Sequence, residues 1–330
     1  MTSSSVRRQL DYFNNIISQV DLSNPSPEVT HLFDELLTFC CSTSLCSFTF
    51  KYMFETDSDL KAICDNLRRL RSKYEYNLEI NLAKIYVSNE NPDSIKRFSK
   101  DGDYHRLIQL EMNMLQDIGI QFSQNPLSND KYSPLMVAKV AFIGSGPIPI
   151  SSMLILSEYA PFVDIYNIDM SHEANEHALT ICRRLLPSDL SKRMHFITQD
   201  INEKPIPFQV ELILKECQLI FLAALVGNDE ENKLEILQNI VKHSKNELDP
   251  EATQHVIIRT TDGLRQVLYP KISTESINKL QVPTSCYDHN NKKKIVSLEI
   301  RSISPSETDV AISTIIAKIV HQINSPSTTH

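Results

Sequence analysis

The chain has six glycines in 330 residues, and four of them, Gly144, Gly146, Gly227 and Gly263, directly follow short apolar runs. Read as strands, those runs put the glycines at strand C-terminal ends, where open α/β sheets bind ligands. In VAFIGSGPIPI, the missing β-carbons of Gly144 and Gly146 let the backbone touch a ligand, and Ser145 and Pro147 complete the turn. Backbone N–H groups of such a turn can also meet an anion. The next apolar run ends at Asp169, 23 residues beyond Gly146, where a carboxylate can accept hydrogen bonds from both hydroxyls of a ribose. Asp200 closes a third run, FITQD, and suits either an adenine amino group or a helix cap. Three strand ends with this chemistry predict a nucleoside site. The third glycine of a dinucleotide fingerprint is absent, with Pro147 and Pro149 nearby, which disfavours a nicotinamide enzyme.

Ala223 and Ala224 follow the fourth run and are small enough to leave room for a ligand; a tight helix–sheet contact explains them nearly as well. Arg259 and Arg265 lie on either side of Gly263. A guanidinium pairs with carboxylates in bidentate geometry, so each suits either a substrate carboxylate or a surface or interdomain ion pair, and Tyr269 is a weaker candidate of the same kind. The string HEANEH resembles a zinc motif, but its histidines are five apart and fall on different helix faces, so no catalytic metal is expected.

Two kinds of element must position these groups. From about Leu10 to Asn125, apolar residues recur at helical spacing, as in HLFDELLTF and DLKAICDNLRRLRSKY. Asn24–Pro27 opens one helix, Asn89–Pro92 separates two others, and Asn125–Pro134 reads as a linker. Beyond it, VAKVAFIG, VDIYNID, MHFITQD, QLIFLAAL and HVIIRTT alternate with helical stretches, the pattern of a parallel α/β sheet. IVSLEIRSI and VAISTIIAKI, separated by PSETD, suit an antiparallel hairpin closing the sheet edge. The expected division is a helical domain with linker at 1–134, a sheet domain at 135–322 and a disordered tail at 323–330.

Composition narrows the function. At 41% hydrophobic residues the chain can build a full core, and its net charge of −8 lacks the concentrated basic surface that nucleic acid requires; the run Lys292–Lys294 reads as solvated. No window approaches the ~20 apolar residues of a membrane span, and MTSSSVRRQLDYF holds no apolar signal core, so a cytoplasmic protein acting on a small molecule is expected. Seven cysteines without C-x-x-C spacing indicate buried free thiols, not a zinc site or disulfide framework.

FIGSGPIPISS resembles the FVGSGPLPLTS signature of nicotianamine synthases, and FLAALVG followed by RTTDGLRQVLYP resembles the same family's fourth and fifth strand regions. Similarity extends to NPSPEVTHLFDELL, NLEINLAKIYVSNENP, DYHRLIQLE and PSETDVAISTIIAK, covering about Asn24 to Lys318. The resemblance implies a helical N-terminal domain on a Rossmann-like domain of the class I S-adenosylmethionine-dependent methyltransferase type. It also implies condensation of three S-adenosylmethionines into nicotianamine, with release of three methylthioadenosines. Glu79, in YNLE, matches the glutamate preceding that family's asparagine–proline motif, and Tyr104 starts its tyrosine-x-x-leucine-x-x-leucine-glutamate pattern, so both are implied to be catalytic. Glu111, which closes that pattern, is expected to be structural. The glycine and histidine that flank the plant glutamate are missing around Glu79. A small-molecule methyltransferase sharing the fold is the alternative enzyme, and a degenerate ligand-binding scaffold is the alternative outside enzymes.

Overall fold

The structure, a computed structural model, describes residues 2–43, 45–88, 102–123, 136–244, 253–287, 293–304 and 311–323. The Asn89–Pro92 break, the Asn125–Pro134 linker, the PSETD turn, the side chains of Lys292–Lys294 and the tail from Ser325 lie outside what is described.

Five helices come first: α1 (Ser3–Ile17), α2 (Pro27–Ser42), α3 (Ser47–Thr56), α4 (Ser58–Ser88) and α5 (Gly102–Asp117). Helix α2 starts where the sequence places it, with Ser26 Oγ accepting from Val29 N–H at 3.4 Å and Pro27 in the first turn. Helix α4 buries Leu60, Cys64, Leu67, Arg71 and Tyr74 at three- and four-residue steps. These pack with Leu10 and Phe13 of α1 and Phe33 and Leu36 of α2 in a core that also takes in Leu264, Val267 and Leu268 from the other half. The helical reading to Asn125 runs too far: α5 stops at Asp117, Gly119 turns the chain at φ 84°, and Gln121–Phe122 forms β1, parallel to β2 (Met136–Val137). The partner lies beyond the intervening segment, so a non-local pairing overrides the local pattern.

The remaining strands are β3 (Lys139–Ile143), β4 (Asp164–Asp169), β5 (Met194–Thr198), β6 (Leu219–Leu222), β7 (His255–Thr260), β8 (Gln281–Tyr287), β9 (Lys293–Ile303) and β10 (Ser313–Ile323). Between them lie α6 (Ile150–Leu154), α7 (His172–Leu185), α8 (Ser188–Ser191), α9 (Phe208–Glu216), α10 (Glu230–His243) and α11 (Thr274–Asn278). They form one sheet in the order β5-β4-β3-β6-β7-β10-β9-β8. The first five strands are parallel and the last three antiparallel. Alternation along β3 sends Val140 and Phe142 into the core shared with α5, α6 and α7, and Ala141 and Ile143 into the core shared with α9, α10 and α11. This is the doubly covered, Rossmann-like α/β arrangement expected from the alternating runs.

The hairpin of β9 and β10 forms, but it does not close the sheet. β10 inserts between β7 and β9, and the edge is β8, a strand the sequence reading missed. The physical reason is visible in composition: Ile315, Ile316, Ala317 and Ile319 of β10 are buried on both faces, whereas β8 contains Pro283, which has no N–H for a central ladder. Among the described residues no helix is long and apolar enough to cross a membrane. Cys40, Cys64, Cys182 and Cys217 are buried free thiols, but Cys46 is exposed at the start of α3, contrary to the expectation for all of them.

Candidate active site

Helix α4 is clamped across the C-terminal ends of the parallel strands. Arg68 donates through Nε to Gln266 O at 2.8 Å and through a terminal nitrogen to Asn228 O at 3.3 Å, tying α4 to the loops after β7 and β6. Tyr76 Oη shares a hydrogen bond with Ser171 Oγ at 2.9 Å, and Lys84 pairs with Glu173 at 2.9 Å, tying it to α7. Between these anchors α4 presents Glu75, Tyr76 and Glu79 to a cavity of about 700 Å³, within the ~300–1,000 Å³ of small-molecule sites. Tyr104 of α5, the Gly144–Pro147 turn, Asp169, Asp200, Ala223, Ala224, Arg259 and Tyr269 complete the wall.

The glycine turn is shaped by conformation and by contact. Gly144 and Gly146 have φ of 79° and 68°. A β-carbon on Gly144 would lie 2.2 Å from Val226 Cγ2, and one on Gly146 would lie 2.8 Å from Glu79 Oε2, so the α4 carboxylate rests directly over the turn. Asp169 Oδ2 accepts from Gly146 N–H and Oδ1 from Ser171 N–H, both at 2.9 Å, and Ile168 O accepts from Gly144 N–H at 2.8 Å. The glycine N–H groups expected to meet an anion therefore already have protein acceptors, and Pro147 has none to offer. Each Asp169 oxygen keeps a second lone pair for a hydroxyl donor. Asp200 lies two residues past β5, where its Oδ1 accepts from Asn202 N–H at 2.9 Å, so it braces a loop instead of capping a helix. Ser145 Oγ and Asn202 Oδ1, both on the cavity wall, are buried without a hydrogen-bond partner among the described residues.

Glu79 takes no hydrogen bond or ion pair among the described residues. Burial first, then the negative charges of Glu75 and Asp169, push its carboxyl up to about 8. Burial also pushes the Tyr104 hydroxyl well above its ordinary value, and Glu79, Glu75 and Tyr269 add to the effect. The wall formed by Glu79 and Tyr104 therefore disfavours negative charge, and a cation arriving there would reverse that balance.

The two arginines separate. Arg259 lines the cavity, but its Nε and a terminal nitrogen donate to Glu111 Oε1 and Oε2 at 2.9 and 2.8 Å, and its other terminal nitrogen donates to Ser151 Oγ at 2.9 Å. Glu111 is fully buried and also accepts from Thr314 Oγ1 at 3.1 Å. The structure therefore places Arg259 both on the cavity wall and in an ion pair with Glu111 of α5. Arg265 is not on this wall; it lines a separate cavity of about 560 Å³ with Cys40, Lys271 and Ser313, so its expected contact with the same substrate is corrected. Arg265 lies on the 3-10 turn Gly263–Val267, and the cavity it lines is set by tertiary packing that spacing alone cannot supply. Tyr269 does reach the wall and is hydrogen-bonded to Arg71.

Sequence reasoning missed Glu75, Arg71 and Lys233. Arg71 is buried, pairs with Glu75 and lies 5.9 and 5.8 Å from the ring centres of Phe33 and Tyr74. Lys233 is fully buried on α10 and donates to Ala223 O and Ala224 O at 3.1 and 2.8 Å, fixing the turn after β6. Burial, with Arg259 nearby, brings its ammonium down to about 7. Its signal was legible: Lys233, Ile236, Leu237 and Ile240 share one helical stripe. His172 and His177 pair along α7 with Glu176 and Glu173 at 3.4 and 3.8 Å, and no group of three or more metal-ligating side chains occurs among the described residues.

A parallel sheet of this order, with a glycine turn after its first central strand, an acid after the next and a helical cover over the strand ends, defines a methyltransferase-type α/β fold. The comparisons with known proteins carry this further. Residues 2–318 match the family model described as nicotianamine synthase protein, and the chain belongs to the nicotianamine synthase family. It is 30% identical over 264 residues to nicotianamine synthase 9 of Hordeum vulgare, covering 80% of this chain and 68% of that one. It is 30% identical over 281 residues to nicotianamine synthase 2 of Arabidopsis thaliana, covering 84% and 78%. Its fold is similar to that of a glutamate-to-glutamine variant of MtNAS in complex with S-adenosylmethionine, at a TM-score of 0.66, 15% identity and coverage of 94% and 97%. MtNAS in complex with MTA and tNA superposes at a TM-score of 0.64, with 16% identity and 95% of each chain covered.

Proposed function

We propose that this chain transfers the 3-amino-3-carboxypropyl group of S-adenosylmethionine to an amine, condensing three molecules into nicotianamine and releasing three methylthioadenosines. The observation that carries the reading is Glu79, a carboxylate with no hydrogen-bond or ion-pair partner among the described residues, lying 2.8 Å from where a β-carbon of Gly146 would stand. In the proposed roles, the Gly144, Ser145, Gly146 and Pro147 turn, Asp169, Asp200, Ala223 and Ala224 hold the donor, with Asp169 on the ribose. Tyr104 orients the attacking amine, and Tyr269 contacts a substrate carboxylate.

The chemistry follows from charge movement. The amine lone pair forms a bond to Cγ, the C–S bonding pair leaves with sulfur as a neutral thioether, and the new ammonium passes a proton to Glu79. Positive charge moves from sulfur to nitrogen, so a carboxylate beside the nitrogen is attracted more to the transition state than to the neutral amine. The raised proton affinity of Glu79 suits acceptance of that proton. Attack at Cγ and not at the methyl is a matter of position, since one sulfonium activates both. A neutral thioether departs without a Lewis acid, so the reaction is proposed to need no metal. The helical domain with linker at 1–134, the sheet domain at 135–322, the tail at 323–330, a cytoplasmic location, a role in metal homeostasis through the product and independence from nucleic acid belong to the same proposal.

The test is to incubate the purified protein with S-adenosylmethionine alone and identify the nucleoside formed. Methylthioadenosine with a coupled amino acid supports the reading, whereas S-adenosylhomocysteine formed with an added acceptor points to methyl transfer.

A further inference from the structure

Helix α4 carries two carboxylates on the cavity wall, Glu75 and Glu79, at positions i and i+4. Side chains so spaced have β-carbons about 5–6 Å apart on one helix face. Their surroundings differ. Glu75 Oε1 is held by Arg71, which is itself buried, stacked near Phe33 and bonded to Tyr269. Among the described residues Glu79 has no such partner, and it faces the glycine turn. The lining of the cavity is acidic: Glu75 is paired with Arg71 and Arg259 with Glu111, which leaves Glu79, Asp169 and Asp200 as the balance of charged side chains on the wall. Such a wall favours ligands that carry several positive nitrogens.

The proposed coupling chemistry, on which this inference rests, generates such ligands with a fixed repeat. Each coupling puts a nitrogen on the Cγ of a unit whose own nitrogen is on Cα, so neighbouring nitrogens in every intermediate are separated by three carbons. In an extended chain that separation is comparable to the ~5–6 Å between side chains one helical turn apart. We propose that Glu75 and Glu79 form a two-point ruler for the growing chain, Glu79 at the nitrogen that reacts and Glu75 at the ammonium three carbons away. Arg71 serves as a positioning residue that fixes the Glu75 end. The first coupling can proceed with one nitrogen held; later couplings need the chain shifted by one repeat, and the second contact sets that shift.

The experiment uses the full chain with S-adenosylmethionine and follows all coupled products by time-resolved mass spectrometry. Wild type is expected to pass through the singly coupled species to nicotianamine. In Glu75→Gln methylthioadenosine is still released, but the ratio of singly coupled product to nicotianamine rises about tenfold or more, the scale of losing a hydrogen bond to a charged group. Glu75→Asp, which retracts the carboxylate by one methylene, gives a ratio between the two. A merely structural role would slow every step together and leave the ratio unmoved. A wild-type ratio in Glu75→Gln, or in Glu75→Asp should the first variant not fold, overturns the ruler. Absence of any coupled product from the wild-type protein overturns the coupling reading instead, so the two failures are distinguishable.

Discussion

Glu111 and Glu79 lie on two helices that cover the same sheet, and they have opposite environments. Glu111 is fully buried, bonds Arg259 through both oxygens and takes a third bond from Thr314. Glu79 receives none among the described residues, and burial with two neighbouring acids pushes its carboxyl up to about 8. A carboxylate buried behind a bidentate guanidinium and a hydroxyl is committed to the fold, while one without partners in a cavity is costly to ionise until a cation or donor reaches it. Both acids lie in stretches that resemble the same family, and what sets them apart in the structure is how far their oxygens are hydrogen-bonded.

The comparison can be sharpened by perturbing each side. Glu111→Ala leaves Arg259 buried without its carboxylate and is expected to cost ~3–5 kcal/mol, read as a fall in the unfolding midpoint in denaturant. A loss below about 1 kcal/mol would show the pair to be dispensable. On the functional side, Asp169→Ala removes acceptors for Gly146 N–H, Ser171 N–H and the proposed ribose, so affinity for S-adenosylmethionine should fall by ~1–3 kcal/mol in calorimetry. Unchanged affinity would contradict the ribose assignment.

Two further effects follow from the raised Glu79 carboxyl. A carboxyl raised to about 8 is mostly protonated at pH 7, and the cationic donor favours its ionised form. Binding should therefore release up to about one more proton in wild type than in Glu79→Gln, measured by calorimetry in buffers of different ionisation heat. Equal proton release in the two proteins would remove Glu79 from the donor's surroundings. For stability the sign is the reverse of the usual carboxylate. Folded Glu79 binds its proton up to about 8, whereas an unfolded glutamate releases it near 4.5, so wild type loses stability as pH rises between those values. Glu79→Gln should match wild type in melting temperature near the lower value and exceed it increasingly toward the upper one. A constant difference across that range would mean that the carboxyl is not shifted.

How much of this was legible in the sequence depended on how local the cause was. The parallel strands and the glycine turn could be read because scarce glycines follow apolar runs, a pattern that backbone geometry alone explains. Asp169 and Asp200 followed from spacing. Glu79 and Tyr104 did not, since a glutamate on a long amphipathic helix looks like any solvated one; only the family resemblance singled them out. The pairing of Arg259 with Glu111, 148 residues apart in sequence, and the diversion of Arg265 into another cavity are tertiary facts that no local window contains. Lys233 was overlooked because a lysine is ordinarily assigned to solvent, even where its helical phase puts it among isoleucines. The inserted position of β10 needed the composition of both hairpin strands to be weighed together, with Pro283 marking the true edge.

The most direct test of the central claim is single-turnover release of methylthioadenosine from S-adenosylmethionine by wild type and by Glu79→Gln, with donor binding measured on the same samples. The variant is expected to bind the donor with affinity within a few-fold of wild type but to release methylthioadenosine ~10²–10⁴ times more slowly, the range for loss of a positioned acid–base group. Release at the wild-type rate with Glu79 replaced would contradict it.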